Sequence, residues 1–361
     1  MNLPAASSSV KKFQGRKLVE AVPLSRIAFD EDRGNYKDIL AKGHKLVSPV
    51  DVVDPVLAVV VRELATLKDC GNAMLMGVCQ AGHEFGKVIR CGREWCATCG
   101  RLDSETHMRR YARILPKVQQ MRSIGFFVIQ FPVASRVKYR SKKQLSKVGT
   151  AVARWFKRQG FARGIRAWDW FGDPRCPVHH VPGEHQRQSG LYRCPSGCEF
   201  GLEDVWPEDM KFNPHLNILV DGGYLANLEE LKAGLRSLLR EPDLIVRYQF
   251  VESVPGMLHV ARYAVKPTFH DVGWDFQMVA ELVGFRSIWS WGRWDGEAVW
   301  SLEESESGHK VAAVVAMEGG NCAECGTVVT WRGVVNRRLM AGMRRMQDLG
   351  GGYWRIWGPK E

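Results

Sequence analysis

The chain has 361 residues, a formal net charge of +12, 45% hydrophobic and 25% charged residues. This composition supports a buried core and excludes a disordered or collagen-like chain, and the length predicts a principal domain with appended modules. No apolar run reaches the ~18 residues of a membrane span and the start lacks an apolar signal core, so a cytoplasmic protein with no membrane partner is expected. A pI of about 9.3 favours a polyanionic partner such as nucleic acid.

In chain order, residues 1–45 are polar and aperiodic and read as a flexible arm, and residues 46–105 as a zinc-binding module ending in CGREWCATCG. The principal domain spans 106–285. It opens with a helix in LDSETHMRRYARILPKVQQM, bent or interrupted at Pro116, followed by a short β-rich run, GFFVIQFPV, that suits a buried central strand. SKKQLSKVGTAVARWFKRQGF predicts a helix with Leu145, Val148, Val152 and Phe156 on one face and a very basic opposite face. A turn-rich Cys/His insertion occupies 174–204. After it come a strand, HLNILVDGG, an amphipathic helix, ANLEELKAGLRSLLR, a strand, VRYQFVES, and a helix, GMLHVARYAVK, stopped by Pro267. FQMVAELVG predicts a further helix and SIWSWGRWDG an exposed-edge strand. Residues 286–361 read as a basic C-terminal segment closed by an amphipathic helix in VVNRRLMAGMRRMQDLG. The pattern is α+β, with too few repeating βα units for a barrel.

Ten cysteines without a secretion signal point to reduced thiols and metal sites. Cys79, Cys91, Cys96 and Cys99 offer four thiolates for a closed tetrahedral Zn²⁺ site, with His83 or Cys70 able to replace one. The insertion offers Cys176, His179 or His180, Cys194 and Cys198. Cys322 and Cys325 form a knuckle without an obvious second half, for which His309 is one candidate and unliganded thiols the alternative.

Two further patterns carry chemistry. On a strand, His215 and Asn217 face the same way, and an imidazole beside an amide oxygen forms a mixed site suited to Mn²⁺ or Mg²⁺, against the plainer role of a hydrogen-bonded histidine near a sheet end. On a helix, His259, Tyr263 and Lys266 recur at i, i+4 and i+7. A phenol can serve as a nucleophile when a cation and a proton carrier stand by it: Lys266 for a phosphoryl charge, His259 for the proton. The competing role is a core tyrosine beside a surface lysine. Arg109, Arg110, Lys142, Lys143, Arg154, Lys157 and Arg158, on the two basic helices, are candidate phosphate contacts. Trp289, Trp291 and Trp294 are candidates for stacking on unpaired bases or for core packing.

FFVIQF, then NPHLNILV, then ARYAVKP, with a cysteine cluster ahead of them, resemble the three ordered motifs of rolling-circle replication initiators of the HUH endonuclease superfamily, bacterial plasmid type, over roughly residues 75–295. The resemblance implies a central antiparallel sheet flanked by helices, and an enzyme that nicks and rejoins single-stranded DNA through a 5′-phosphotyrosine link. By position it makes Tyr263 the nucleophile, Lys266 its helper and His215 and Asn217 ligands of a catalytic divalent ion. Glu208, with Asp209 next, is the candidate third ligand. Two positions depart from the family pattern. Asn217 stands where its second histidine falls, much as some viral relatives use Gln, and His259 stands where the plasmid type often has Glu. The implied partners are single-stranded or supercoiled origin DNA and host replication proteins, including a helicase, since the chain has no GxxxxGK[ST] phosphate loop. A tyrosine-histidine single-strand transposase fits the same motifs, and a non-catalytic zinc-containing nucleic-acid-binding protein is the reading from another class.

Overall fold

A computed structural model of the chain describes residues 70–101, 104–171, 176–179, 184–186, 189, 191–201, 212–269, 276–302 and 306–359. The expected N-terminal arm, Glu208, Asp209 and His180 lie outside the described residues. The strands are β1 (Ala73–Cys79), β2 (Glu84–Val88), β3 (Ile124–Gln130), β4 (Gly164–Phe171), β5 (Glu184–His185), β6 (Tyr192–Arg193), β7 (Glu199–Phe200), β8 (Phe212–Asp221), β9 (Ile245–Val251), β10 (Ile288–Trp291), β11 (Val329–Asn336), β12 (Arg344–Gly350) and β13 (Tyr353–Pro359). The α-helices are α1 (Glu105–Val118), α2 (Lys142–Arg158), α3 (Leu228–Leu239), α4 (Val254–Ala264), α5 (Phe276–Leu282), α6 (Glu306–Glu318) and α7 (Arg337–Met343).

The fold is α+β, built on two five-stranded antiparallel sheets and a three-stranded insertion sheet. In the central sheet the order is β10-β4-β8-β3-β9. The apolar run Ile124–Gln130 is an inner strand, paired on one side with β8 and on the other with β9, as its continuous hydrophobicity dictates. Ser104 caps α1 by accepting from the His107 amide, and Ser141 caps α2 from the Gln144 amide. Pro116 falls in the last turn of α1, which continues through it to Val118.

Two apolar cores sandwich the central sheet. Leu145, Val148, Val152 and Phe156 of α2 and Leu231 and Leu235 of α3 pack on the face bearing Phe127, Ile129, Leu216 and Ile218. Tyr111, Ile114, Leu115 and Val118 of α1 and Met257, Val260, Ala261 and Ala264 of α4 pack on the opposite face with Ile124, Phe126 and Leu219. The end of β8 closes tightly: Gly222 has φ 68° and a Cβ on Gly223 would meet the Gly125 Cα at 2.3 Å. The Gly-Gly pair read from the sequence is therefore what lets the turn close over β3.

The second sheet, β11-β1-β2-β13-β12, joins the two ends of the described chain. The sequence separates a module at 46–105 from a segment at 286–361; in the fold β1 pairs with β11 and β2 with β13, while β10 belongs to the central sheet. The expected C-terminal helix is likewise only the seven residues of α7, because β11 and β12 on either side find sheet partners, and pairing overrides helical propensity. Helix α1 lies between the sheets, turning Met108 and Ala112 toward Val314 and Tyr353 while its other stripe faces the central sheet.

Candidate functional site and metal centres

Alternation along β8 puts His215, Asn217 and Leu219 on the face covered by α1 and α4. Cross-strand register sets the neighbours: His215 lies between Gln130 and Asp169, and Asn217 between Val128 and Ala167. Arg247 follows across β3, opposite Val128. Asn217 and Asp169 are buried. The Nδ1 of His215 and both amide atoms of Asn217 are enclosed and make no hydrogen bond among the described residues. Buried polar groups left in this way cost about 1–3 kcal/mol each, so these donor atoms match a polar or ionic ligand better than a purely apolar core. Burial, followed by the positive charge of Arg136 and Lys266, pushes His215 down from 6.5 to about 4, so its imidazole is neutral at pH 7 and keeps a lone pair for coordination.

Tyr263 arrives on this face from α4. Ser253 caps the helix by accepting from the Gly256 amide, and Pro255 occupies its first turn. Met257, Val260, Ala261 and Ala264 hold the helix to the sheet, leaving Tyr263 39% exposed with its ring edge-on to Phe126 at 6.0 Å. The helix ends at Ala264, ahead of Pro267, so the expected single helical face through Lys266 does not form. A turn does the same work: the Lys266 amide donates to the Tyr263 carbonyl at 3.2 Å, and its ammonium folds back 4.1 Å from the centre of the Tyr263 ring. His259, one turn earlier, is exposed.

Asp169 is the residue that sequence reasoning missed. Its signal was the alternation in AWDWF, which sets Asp169 apart from the two tryptophans that turn into the α2-side core. Nothing in the sequence said which strand β4 would pair with, and only that register brings Asp169 beside His215.

Three clusters of side chains can hold metal: Cys70, Cys91, Cys96 and Cys99; Cys79, His83, Cys322 and Cys325; and Cys176, His179, Cys194 and Cys198. Within each, the ligand atoms lie within 4.8 Å of one another. The sulfurs of Cys70 and Cys91 are 3.3 and 3.5 Å from that of Cys99, and those of Cys79 and Cys325 are 3.7 Å apart. A tetrahedral Zn–S distance of ~2.3 Å implies edges of roughly 3.8 Å, so the Cys₄ and Cys₃His sets suit structural Zn²⁺. The insertion set is as the sequence indicated, with His179 Nδ1 between 3.5 and 3.7 Å from its three sulfurs. The first set is corrected: Cys70 stands where Cys79 was expected. Cys79 instead completes the orphan knuckle of Cys322 and Cys325 together with His83, whereas His309 lies elsewhere, exposed on α6.

Supporting contacts favour coordination at this second site. His83 turns Nδ1 toward Cys322 at 3.4 Å and Nε2 toward Glu324 at 3.4 Å, an arrangement in which a carboxylate fixes the tautomer that leaves Nδ1 free to ligate. Thr327 hydrogen-bonds to the Cys325 sulfur, and its side chain and backbone bring that thiol down to about 6. The Cys₄ loop reaches the other core, where Trp95 sits edge-on to Phe269 at 5.6 Å.

The basic residues divide in the fold. Arg109 is buried, donating to the carbonyls of Val88 and Gly351, near Glu318 at 3.7 Å and over the Tyr353 ring at 5.0 Å. Arg110 donates to Glu94 and to the Gly92 carbonyl. Both fasten α1 to the second sheet and the Cys₄ loop, which corrects their expected role on DNA. Lys143 and Arg158 are exposed on α2, while Lys142, Arg154 and Lys157 border a groove with Trp289 and Trp291. Trp291 donates to the Phe161 carbonyl, and Trp294 lies under Lys117 and Arg163 beside the α1-side core. Among the described residues no helix is long and apolar enough to cross a membrane. Comparison with protein-family models, curated proteins and solved structures found no match to this chain.

Proposed function

We propose that the chain nicks and rejoins single-stranded DNA through a covalent tyrosine intermediate and so starts rolling-circle replication. One observation carries this reading: the Tyr263–Lys266 pair packs on the same face of the central sheet as His215, Asn217 and Asp169. Tyr263 Oη attacks the scissile phosphorus, the P–O3′ bond breaks, and the products are a 5′-phosphotyrosine and a 3′-hydroxyl that has taken up a proton. The Lys266 ammonium, 4.1 Å from the centre of the Tyr263 ring, would offset the charge growing on the phosphoryl oxygens. His259, exposed one turn away, exchanges the phenolic proton with solvent. His215, Asn217 and Asp169 would hold the Mn²⁺ or Mg²⁺ ion, which supplies Lewis-acid polarisation of the phosphate. Asp169 on β4 is a carboxylate the sequence reading did not name; Glu208 lies outside the described residues. Strand opening falls to a host helicase or to supercoiling.

The substitution of Asn217 for a second histidine favours an alternative, a zinc-containing nucleic-acid-binding protein without catalysis, and one experiment separates the two. A pool of random-sequence single-stranded oligonucleotides, labelled at the 3′ end, is incubated with protein and Mn²⁺ and run on a denaturing gel. The enzyme carries label into the protein band and Tyr263→Phe does not. Equal labelling of Tyr263→Phe would move the nucleophile elsewhere, and no labelling of either protein favours the non-catalytic reading.

A further inference from the structure

The reverse face of the central sheet, away from Tyr263, carries a groove of about 490 Å³ at the β10 edge. The outer side of α2 supplies one wall with Lys142, Arg154 and Lys157, and the other comes from Arg286, just ahead of β10, and Trp289 on β10 itself. Among the described residues no carboxylate lines it; the nearby Glu281 accepts from the Lys142 backbone amide. Arg286 lies over the Trp289 ring at 4.8 Å, and that ring is 46% exposed.

Arg166 also lines the groove. It projects from β4 toward α2, is only 7% exposed, and its Nε and Nη1 make no hydrogen bond among the described residues. Its guanidinium occupies the space a Cβ on Gly149 would need, 1.6 Å from Nη1, so a glycine in mid-helix is what admits it. Burial brings it down to about 10, which still leaves it charged at pH 7. A charged fork enclosed among other cations with no acidic partner calls for an external anion, and its planar donors match a phosphodiester. An exposed indole beside that fork offers a stacking surface that only an unpaired base can use.

We infer that this groove binds single-stranded nucleic acid, one phosphate seated on Arg166 and an adjoining base stacked on Trp289. The site is separate from the Tyr263 face and its operation does not require the nicking chemistry, so it acts as an anchor for strand at a distance from any scissile phosphate. Salt weakens its hold, since Arg154 and Lys157 release counterions from the same strand.

Fluorescein-labelled dT15 titrated with the full-length protein, read by anisotropy, tests this. Trp289→Ala should weaken binding by roughly fivefold or more, the loss of one stacked base. Arg154→Gln with Lys157→Gln should weaken it and flatten its salt dependence, and Arg166→Met should weaken it too. The substitutions at Trp289, Arg154 and Lys157 are at the surface, so they remain decisive if Arg166→Met does not fold. Parental affinity in both Trp289→Ala and the Arg154/Lys157 double variant overturns the inference, and so does displacement of dT15 by polyglutamate at equal charge. A failure of the nicking reading shows separately, as absence of the covalent band from a protein whose groove still binds dT15.

Discussion

Asp169 on β4 lies directly across from His215 on β8, so a carboxylate and a neutral imidazole share one face of the sheet at adjacent positions. With Asn217 two residues along, the donor set is one nitrogen and two oxygens, which favours Mg²⁺ and Mn²⁺ over tight Zn²⁺ binding. In a Mn²⁺ titration of covalent-adduct formation, His215→Ala and Asp169→Asn should each need far more metal. The loss should be at least the ~10–100-fold that removal of a metal site's supporting partner costs. Asn217→His should need less metal. If His215→Ala forms adduct at the parental Mn²⁺ concentration, His215 is no ligand.

The metal centres are distinguishable by stoichiometry. Zinc analysis of reduced, purified protein should give three ions per chain, one for each cluster. Cys79→Ser and Cys325→Ser should each lose one ion, and combining them should lose no more, because both belong to the same centre. Cys79→Ser combined with Cys96→Ser should lose two. A combined loss of one ion in that last variant would restore the grouping expected from the sequence.

The buried His215 also makes folding stability depend on pH. Its folded-state value of about 4 lies below its ordinary 6.5, so between these values the unfolded chain binds more protons and stability falls as the pH falls. The full difference corresponds to about 3 kcal/mol. His215→Gln removes this contribution, and urea unfolding without added Mn²⁺ or Mg²⁺ should show the parent losing more stability than the variant from pH 6.5 to pH 4. Parallel curves would mean that the imidazole is protonated as readily in the folded protein as in the unfolded one.

Arg109 provides a contrast with the surface cations. Its removal leaves the carbonyls of Val88 and Gly351 without their guanidinium donor, while Glu318 keeps Arg113, Lys87 and the Tyr353 hydroxyl. Arg109→Met should therefore cost about 1–3 kcal/mol, as leaving a buried acceptor unsatisfied does, whereas Lys143→Met, on an exposed face, should change stability by no more than ~0.5 kcal/mol. Chemical denaturation measures both, and equal midpoints would remove Arg109 as the pin between α1 and the second sheet.

The sequence was legible where the relevant partners lie close along the chain or where periodicity is strong. The alternation of NPHLNILV located β8 and the shared face of His215 and Asn217, and Pro267 bounded the helix that bears Tyr263. The insertion cluster was readable because its cysteines and His179 are near neighbours in sequence. Cys79 and Cys325, by contrast, are 246 residues apart, and knuckle spacing says nothing about which distant half completes a site. Asp169 depended on strand register, and Arg109 on whether a cation meets a carboxylate or solvent, neither of which a linear count of charges contains. The C-terminal basic run looked helical because its propensity is helical; β1 and β13 lie outside that window, and they decided otherwise.

The sheet that unites β1 and β2 with β11 and β13 has a consequence for synthesis of the protein. On the ribosome, the β1–β2 hairpin emerges with its two flanking partners still untranslated, and Cys79 and His83 wait for Cys322 and Cys325 before their centre can close. The nascent chain therefore exposes an unfinished sheet edge until β11 and β13 have been translated, a period in which such edges recruit other chains. A message cut short after the Tyr263 codon would encode Tyr263 and the histidine strand and still leave the β1–β2 hairpin without its neighbours. Quality control by chaperones and proteases would then act on the truncated product through that hairpin, far in sequence from the missing strands.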